Sequence, residues 1–94
     1  IMPIFPFSSK EEALQMANDT PFGLAAYVFT NDLNRSIEVC EALQFGIIGL
    51  DDMTPAAAEC PFGGMKQSGM GREGGAEGIE EYLDVKYVSV GMGS

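Results

Sequence analysis

The chain is predicted to fold as an α/β unit around a parallel sheet, and three observations predict it. Leu24 to Thr30 is an unbroken apolar run of strand length between Pro/Gly and Asn/Asp signals, the pattern of a buried strand. Leu33, Ile37, Cys40 and Leu43 recur at steps of four, three and three, the spacing of one helix face. Strand-like and helix-like segments also alternate from Ile1 to Leu50, which favours parallel strands joined by right-handed crossovers.

Ile1 to Phe7 is apolar at most positions, but Pro3 and Pro6 cannot donate to a ladder. The segment therefore reads as an edge strand or an extended lead-in. Ser9-Lys10-Glu11-Glu12 forms a capping box, in which the Ser9 hydroxyl accepts from the third helical amide and Glu12 reaches back. Ala13, Leu14, Met16 and Ala17 supply the apolar face, and Thr20-Pro21 ends the helix near Asn18 or Asp19. The buried strand follows Gly23. Asn31 or Asp32 caps the second helix, Gly46 is expected as its left-handed C-cap, and Ile47 to Leu50 forms a third strand.

Asp51 to Gly75 carries no periodic pattern and reads as one long glycine-rich loop, longer than compact domains hold without a function or a partner. Ala76 to Leu83 reads as a short helix weakened by Gly78, and Asp84 to Val90 as a terminal strand before a fraying tail. A lone terminal strand needs a ladder to join. The chain opens at Ile1, already inside an apolar run, which is the expectation for a piece of a longer polypeptide.

Composition excludes several classes. The chain has 94 residues, with 14 acids, 5 bases, no histidine and a net charge of −9. That field repels duplex nucleic acid, and the basic stripe such binding needs is absent. No apolar run approaches the length of a membrane span. Cys40 and Cys60 lack zinc-ligand spacing, and two thiols with no disulfide framework fit a reduced, cytoplasmic protein. Asp51-Asp52 follows a strand end but has no third ligand; a solvated turn or cap is the better reading, and no metal site is expected.

Gly69-Met70-Gly71-Arg72-Glu73-Gly74 matches G-x-G-x-x-G letter for letter. A dinucleotide fingerprint needs a buried strand directly before it, and Met65-Lys66-Gln67-Ser68 is not one, so the glycines read as a tight turn. Cys60 has no histidine to activate it and reads as structural; Cys40 lies on the helix face and reads as core. Phe62, held between Pro61 and a glycine pair, is either the wall of a small-molecule pocket or an anchor for the loop.

Pro61-Phe62-Gly63-Gly64-Met65-Lys66-Gln67-Ser68-Gly69-Met70-Gly71-Arg72-Glu73 resembles the loop near the C-terminus of aldehyde dehydrogenases. The resemblance extends to Ala17–Ala26 (helix-to-strand passage), Asp32–Arg35 (start of the next helix) and Gly78–Val88 (closing helix and strand). Glu59–Gly64 and the Lys86-Tyr87-Val88 ending resemble succinate-semialdehyde dehydrogenases most.

The resemblance implies that residues 1–83 are the C-terminal part of the catalytic domain and residues 84–94 an oligomerisation strand and tail. It implies an NAD(P)⁺-dependent oxidation in the parent protein of an aldehyde or semialdehyde to a carboxylate. The nucleophilic cysteine, the glutamate base and the dinucleotide fold lie upstream in family enzymes, so this chain is expected to carry no catalytic or cofactor-binding residue and to be inactive alone. What carries over is Phe62, matching a substrate-tunnel aromatic, with Ala56 and Cys60 in the Met53–Cys60 segment that shapes the tunnel mouth. Some family members place a serine there for a distal carboxylate; here Pro55-Ala56-Ala57-Ala58 offers no hydroxyl, which leaves the substrate's length and charge open. Tyr82 to Val90 matches the strand by which family subunits join. The rival reading is a non-catalytic α/β interaction domain that kept this architecture.

Overall fold

The computed structural model describes residues 1–93. Its elements are α1 (Lys10–Asn18), β1 (Phe22–Gly23), β2 (Ala25–Val28), α2 (Leu33–Ala42), β3 (Ile47–Leu50), β4 (Met65–Lys66) and α3 (Gly75–Glu80). β2 and β3 pair in parallel with Ala25 opposite Ile47 and Val28 opposite Leu50, and β1 pairs antiparallel with β4. The α/β expectation holds in the β2–α2–β3 crossover, and β3 has the residues the sequence predicts.

Ser9 caps α1, its hydroxyl accepting from the Glu12 amide at 3.1 Å. The reciprocal half of the box is displaced by one residue. The Glu12 carboxylate accepts from the Ser8 amide at 3.0 Å and the Ser8 hydroxyl at 2.9 Å, and these bonds hold its carboxyl below the ordinary glutamate range. Asp32 caps α2 through the Arg35 amide at 2.9 Å. Lys10 and Glu38 form an ion pair between the two helices.

Several expectations are corrected. Ile1 to Phe7 forms no strand; all seven residues are exposed, so the lead-in alternative holds and the first strand of the expected strand–helix–strand–helix–strand order is absent. The reason is the proline pair, with no neighbouring edge to join. β2 is shorter than Leu24–Thr30 and is not fully buried, since Tyr27 is exposed. The predicted face of α2 turns inward only in its second half: Cys40 is half-buried and Leu43, the C-cap, is buried, whereas Leu33 and Ile37 are 74% and 51% exposed and Ser36 is buried instead. Ser36 fits because its hydroxyl donates to the Leu33 carbonyl at 2.6 Å, which removes the penalty of burying it.

Gly46 is not a left-handed cap; α2 ends at Leu43 with an extended backbone. Gly46 is required by close approach instead, because a Cβ there would overlap the Gly63 carbonyl. The long loop is not featureless. β4 lies within it, and Phe62 and Glu73 exchange two backbone hydrogen bonds, at 2.6 and 2.7 Å. The final helix spans Gly75–Glu80 rather than Ala76–Leu83. Asp84 to Val90 forms no strand, for no free strand edge of the described residues reaches it, and no backbone hydrogen bond within the described residues continues past Leu83.

The core is small. α2 packs on β2 and β3, α1 packs on α2, and Leu43 is the buried hydrophobic side chain at that junction. The larger cavity, about 710 Å³, is a groove between the N-terminal segment, α1 and β2, floored by Leu14, Tyr27 and Val39.

Candidate functional site

The glycine-rich segment folds back on itself and is tied at three places. Its stem is the Phe62–Glu73 bridge. On one side the Gly75 amide donates to Ala58 at 3.0 Å, and a Cβ on Gly74 would stand 2.9 Å from the Cys60 carbonyl oxygen, so residues 58–60 lie pressed against the start of α3. Gly74 also has a φ of 71°, left-handed and suited to glycine. On the other side, β4 runs beside β1, the Gln67 amide donates to Pro21 at 2.8 Å, and the Gly23 amide donates to the Ser68 hydroxyl at 2.8 Å.

Two cations are used inside this fold rather than offered outward. The Arg72 guanidinium donates through one nitrogen, Nη1, to the Gly64 and Gly71 carbonyls at 2.9 and 2.7 Å. Lys66 donates to the Thr20 carbonyl at 3.0 Å and reaches Asn18 O at 3.4 Å, with its ammonium 5.2 Å from the Phe45 ring centroid. A cation at the C-terminal carbonyls of α1 is favoured by the helix dipole and by the ring face.

Phe62 lines the smaller cavity, about 350 Å³, together with Leu24, Ser68, Met70, Arg72 and Glu81. It is 40% exposed. Ala56 and Cys60 are exposed and line neither cavity; Cys60 is a free thiol. The sequence reading missed Lys66, Ser68 and Asn18. Asn18 joins the ends of both helices, donating to the Ala42 carbonyl and accepting from the Gln44 amide at 3.0 and 2.9 Å.

The residues present do not fit a dinucleotide. The G-x-G-x-x-G run leads into a six-residue helix capped without a side chain. A Cβ on Gly71 would stand 3.2 Å from the Glu81 carboxylate, so an acid lies against this turn, where it would repel a phosphate. No cluster of three or more histidine, cysteine or acidic side chains able to hold a metal occurs among the described residues. No helix among them is long and apolar enough to cross a membrane.

A sequence profile described as the aldehyde dehydrogenase family matches residues 1–88. The mitochondrial succinate-semialdehyde dehydrogenase of Oryza sativa is 48% identical over 97% of the chain, and an NADP(+) succinate-semialdehyde dehydrogenase of Escherichia coli is 46% identical over 98%. Among solved structures, an Escherichia coli NADP-dependent enzyme superposes with a TM-score of 0.91 at 46% identity, covering 94% of this chain and 18% of that one. A Burkholderia pseudomallei succinate-semialdehyde dehydrogenase gives 0.86 at 48% identity, covering 89% and 17%. The chain spans 17% and 19% of the length of those two sequence relatives.

Proposed function

The chain belongs to the aldehyde dehydrogenase family, and from that membership we propose that it is the C-terminal part of an NAD(P)⁺-dependent enzyme oxidising succinate semialdehyde or a close analogue to its carboxylate. The observation that carries this reading is identity of 46–48% to named succinate-semialdehyde dehydrogenases over nearly the whole chain. NAD⁺ and NADP⁺ are both open, since the residues here fit neither and the cofactor is held by the rest of the parent protein. In the cytoplasm, the parent acts as an oligomer of identical subunits.

Within that enzyme, residues 1–83 complete the catalytic domain. Phe62 forms part of the wall of the substrate tunnel, and Ala56 and Cys60 lie in the segment that rims its mouth. Residues 84–94 pair with a neighbouring subunit. Bond making belongs to groups outside this chain. The rival reading, an autonomous interaction domain, is disfavoured by the surface. A self-sufficient domain buries its own apolar faces, whereas Phe5, Phe29, Leu33, Ile79 and Val85 are all more than half exposed.

The test is to express the full-length protein that contains this chain and to follow reduced nicotinamide on adding succinate semialdehyde, glutarate semialdehyde or a neutral aliphatic aldehyde. Aldehyde-dependent reduction is expected. Its absence with every aldehyde and with both cofactors overturns the reading. Phe62→Ala is expected to raise KM by three- to tenfold with a smaller change in kcat, because a wall residue that contacts substrate and transition state alike contributes uniform binding.

A further inference from the structure

We infer that Arg72 is a positioning residue: its guanidinium supplies the second rung of the short ladder that holds Phe62 at the smaller cavity. The inference rests on the function proposed above for Phe62, while the rung itself rests on geometry. Phe62 and Glu73 exchange two backbone hydrogen bonds and form an isolated antiparallel bridge. In an antiparallel ladder the next exchanging pair lies two residues further along each strand, here Gly64 opposite Gly71. Among the described residues, no backbone hydrogen bond joins that pair. The two carbonyls instead accept from one nitrogen of Arg72, Gly64 at 2.9 Å and Gly71 at 2.7 Å.

One bridge fixes a single point, about which the two stretches of chain can still rotate. A second contact two residues further on removes that rotation, and with it the freedom of Phe62 to tilt. Gly63 and Gly64 have no side chains with which to do this themselves. The space between the rungs is shaped for the arginine. A Cβ on Gly63 would stand 2.7 Å from Arg72 Cδ and 2.9 Å from Nη1, and would overlap the Gly71 carbonyl. Gly64 is buried and Arg72 half-buried, so these charge-assisted bonds are partly shielded from water. Without the guanidinium, a carbonyl on a buried residue loses its donor. Arg72 and Phe62 line the same cavity, so loosening the rung acts on the wall within one short ladder.

The test uses the full-length protein with Arg72→Met, Arg72→Lys, Phe62→Ala and the double variant Phe62→Ala/Arg72→Met. Steady-state kinetics are read beside hydrogen exchange at the amides of Phe62 and Glu73. In Arg72→Met, exchange at these two amides is expected to rise at least tenfold. The Gln67 amide, tied to Pro21, and the α2 amides stay within twofold. KM rises two- to fivefold with kcat within twofold. Arg72→Lys recovers part of both changes, because a single cationic nitrogen makes both bonds. If Arg72 acts through Phe62, adding Arg72→Met to Phe62→Ala changes KM less than 1.5-fold. Unchanged exchange at Phe62 and Glu73, or an equal rise in α2, overturns the inference. So does a wild-type KM in Arg72→Met, or a full multiplicative effect in the double variant. A protein that oxidises no aldehyde, yet shows the local exchange change, removes the proposed function and leaves the rung standing. If Arg72→Met does not fold, Gly63→Ala, whose β-carbon would displace the arginine stem, replaces it; unchanged exchange at both amides then overturns the inference.

Discussion

At the scale of single residues, the contacts with the largest consequences join positions far apart in sequence. Gly46 lies against the Gly63 backbone so closely that any β-carbon would overlap it. Gly46→Ala is therefore expected to cost about 1–3 kcal/mol, the range for forcing backbone apart in a packed site, and to lower the thermal midpoint of the assembled protein. An unchanged midpoint would show that the two strands of chain can separate freely. Asn18→Ala removes two side-chain bonds, to Ala42 and Gln44, and leaves a helix-end carbonyl partly unpaired. A loss of about 1–2 kcal/mol in denaturant unfolding is expected, more than the half kilocalorie typical of a surface substitution. Little of this was legible in the sequence. The sequence marks Gly46 as a special position for its conformation, and the reason proves to be space. Lys66 and Ser68 sit in a motif whose glycines draw the eye, and no local pattern reports a lysine donating to a carbonyl 46 residues away or a serine hydroxyl accepting from an amide 45 residues away.

At the scale of elements, local chemistry was legible and tertiary direction was not. Ser9 and Asp32 cap the helices that the sequence assigns to them, because capping needs only the three following amides. Ser9→Ala and Asp32→Ala should each cost about 1 kcal/mol of helix stability, read as loss of ellipticity in the folded protein. Glu12 gives the first of these helices a pH dependence with a definite sign. Its folded-state carboxyl is held below the ordinary value by the Ser8 amide and, next, the Ser8 hydroxyl. The contribution is thus fully present above the ordinary glutamate range and lost as pH falls through the depressed value. A carboxyl-carbon NMR titration should place Glu12 below that range, and Glu12→Gln should flatten the acid limb of the stability profile. By contrast, the face of α2 read from its apolar spacing holds at Cys40 and Leu43 and not at Leu33 and Ile37, while Ser36, a polar residue outside that spacing, is buried. How much of that face is covered is decided by β2 and β3, on which α2 packs, not by the helix. Ile1–Phe7 and Asp84–Val90 failed as strands for a related reason: pleat-compatible residues make a strand only where an edge is available to pair with.

At the scale of the molecule, the accessible surface is 7762 Å², against about 5,200 Å² for a compact monomer of 10 kDa. The Cα radius of gyration is 18.9 Å, where about 12 Å is typical of this length. Much of the excess is apolar and lies at the two ends, with Ile4, Phe5 and Phe7 at one and Val85, Tyr87, Val88 and Val90 at the other. An apolar face of this extent is stable in water only when something covers it. The terminal residues carry alternating bulky side chains and unpaired backbone groups, which are the ingredients of a strand awaiting a ladder. In the assembled enzyme, the amides of Val85, Tyr87 and Val88 should exchange at least a hundredfold more slowly than in the 94-residue chain alone, where proteolysis should remove the segment beyond Leu83 first. The comparison separates two causes of order. If these amides are protected in the isolated chain while it sediments as a monomer, the tail folds on its own body and the proposed subunit contact is lost. If they are protected only on assembly, the strand propensity read from Asp84 to Val90 was sound, and what the single chain lacked was the edge to express it.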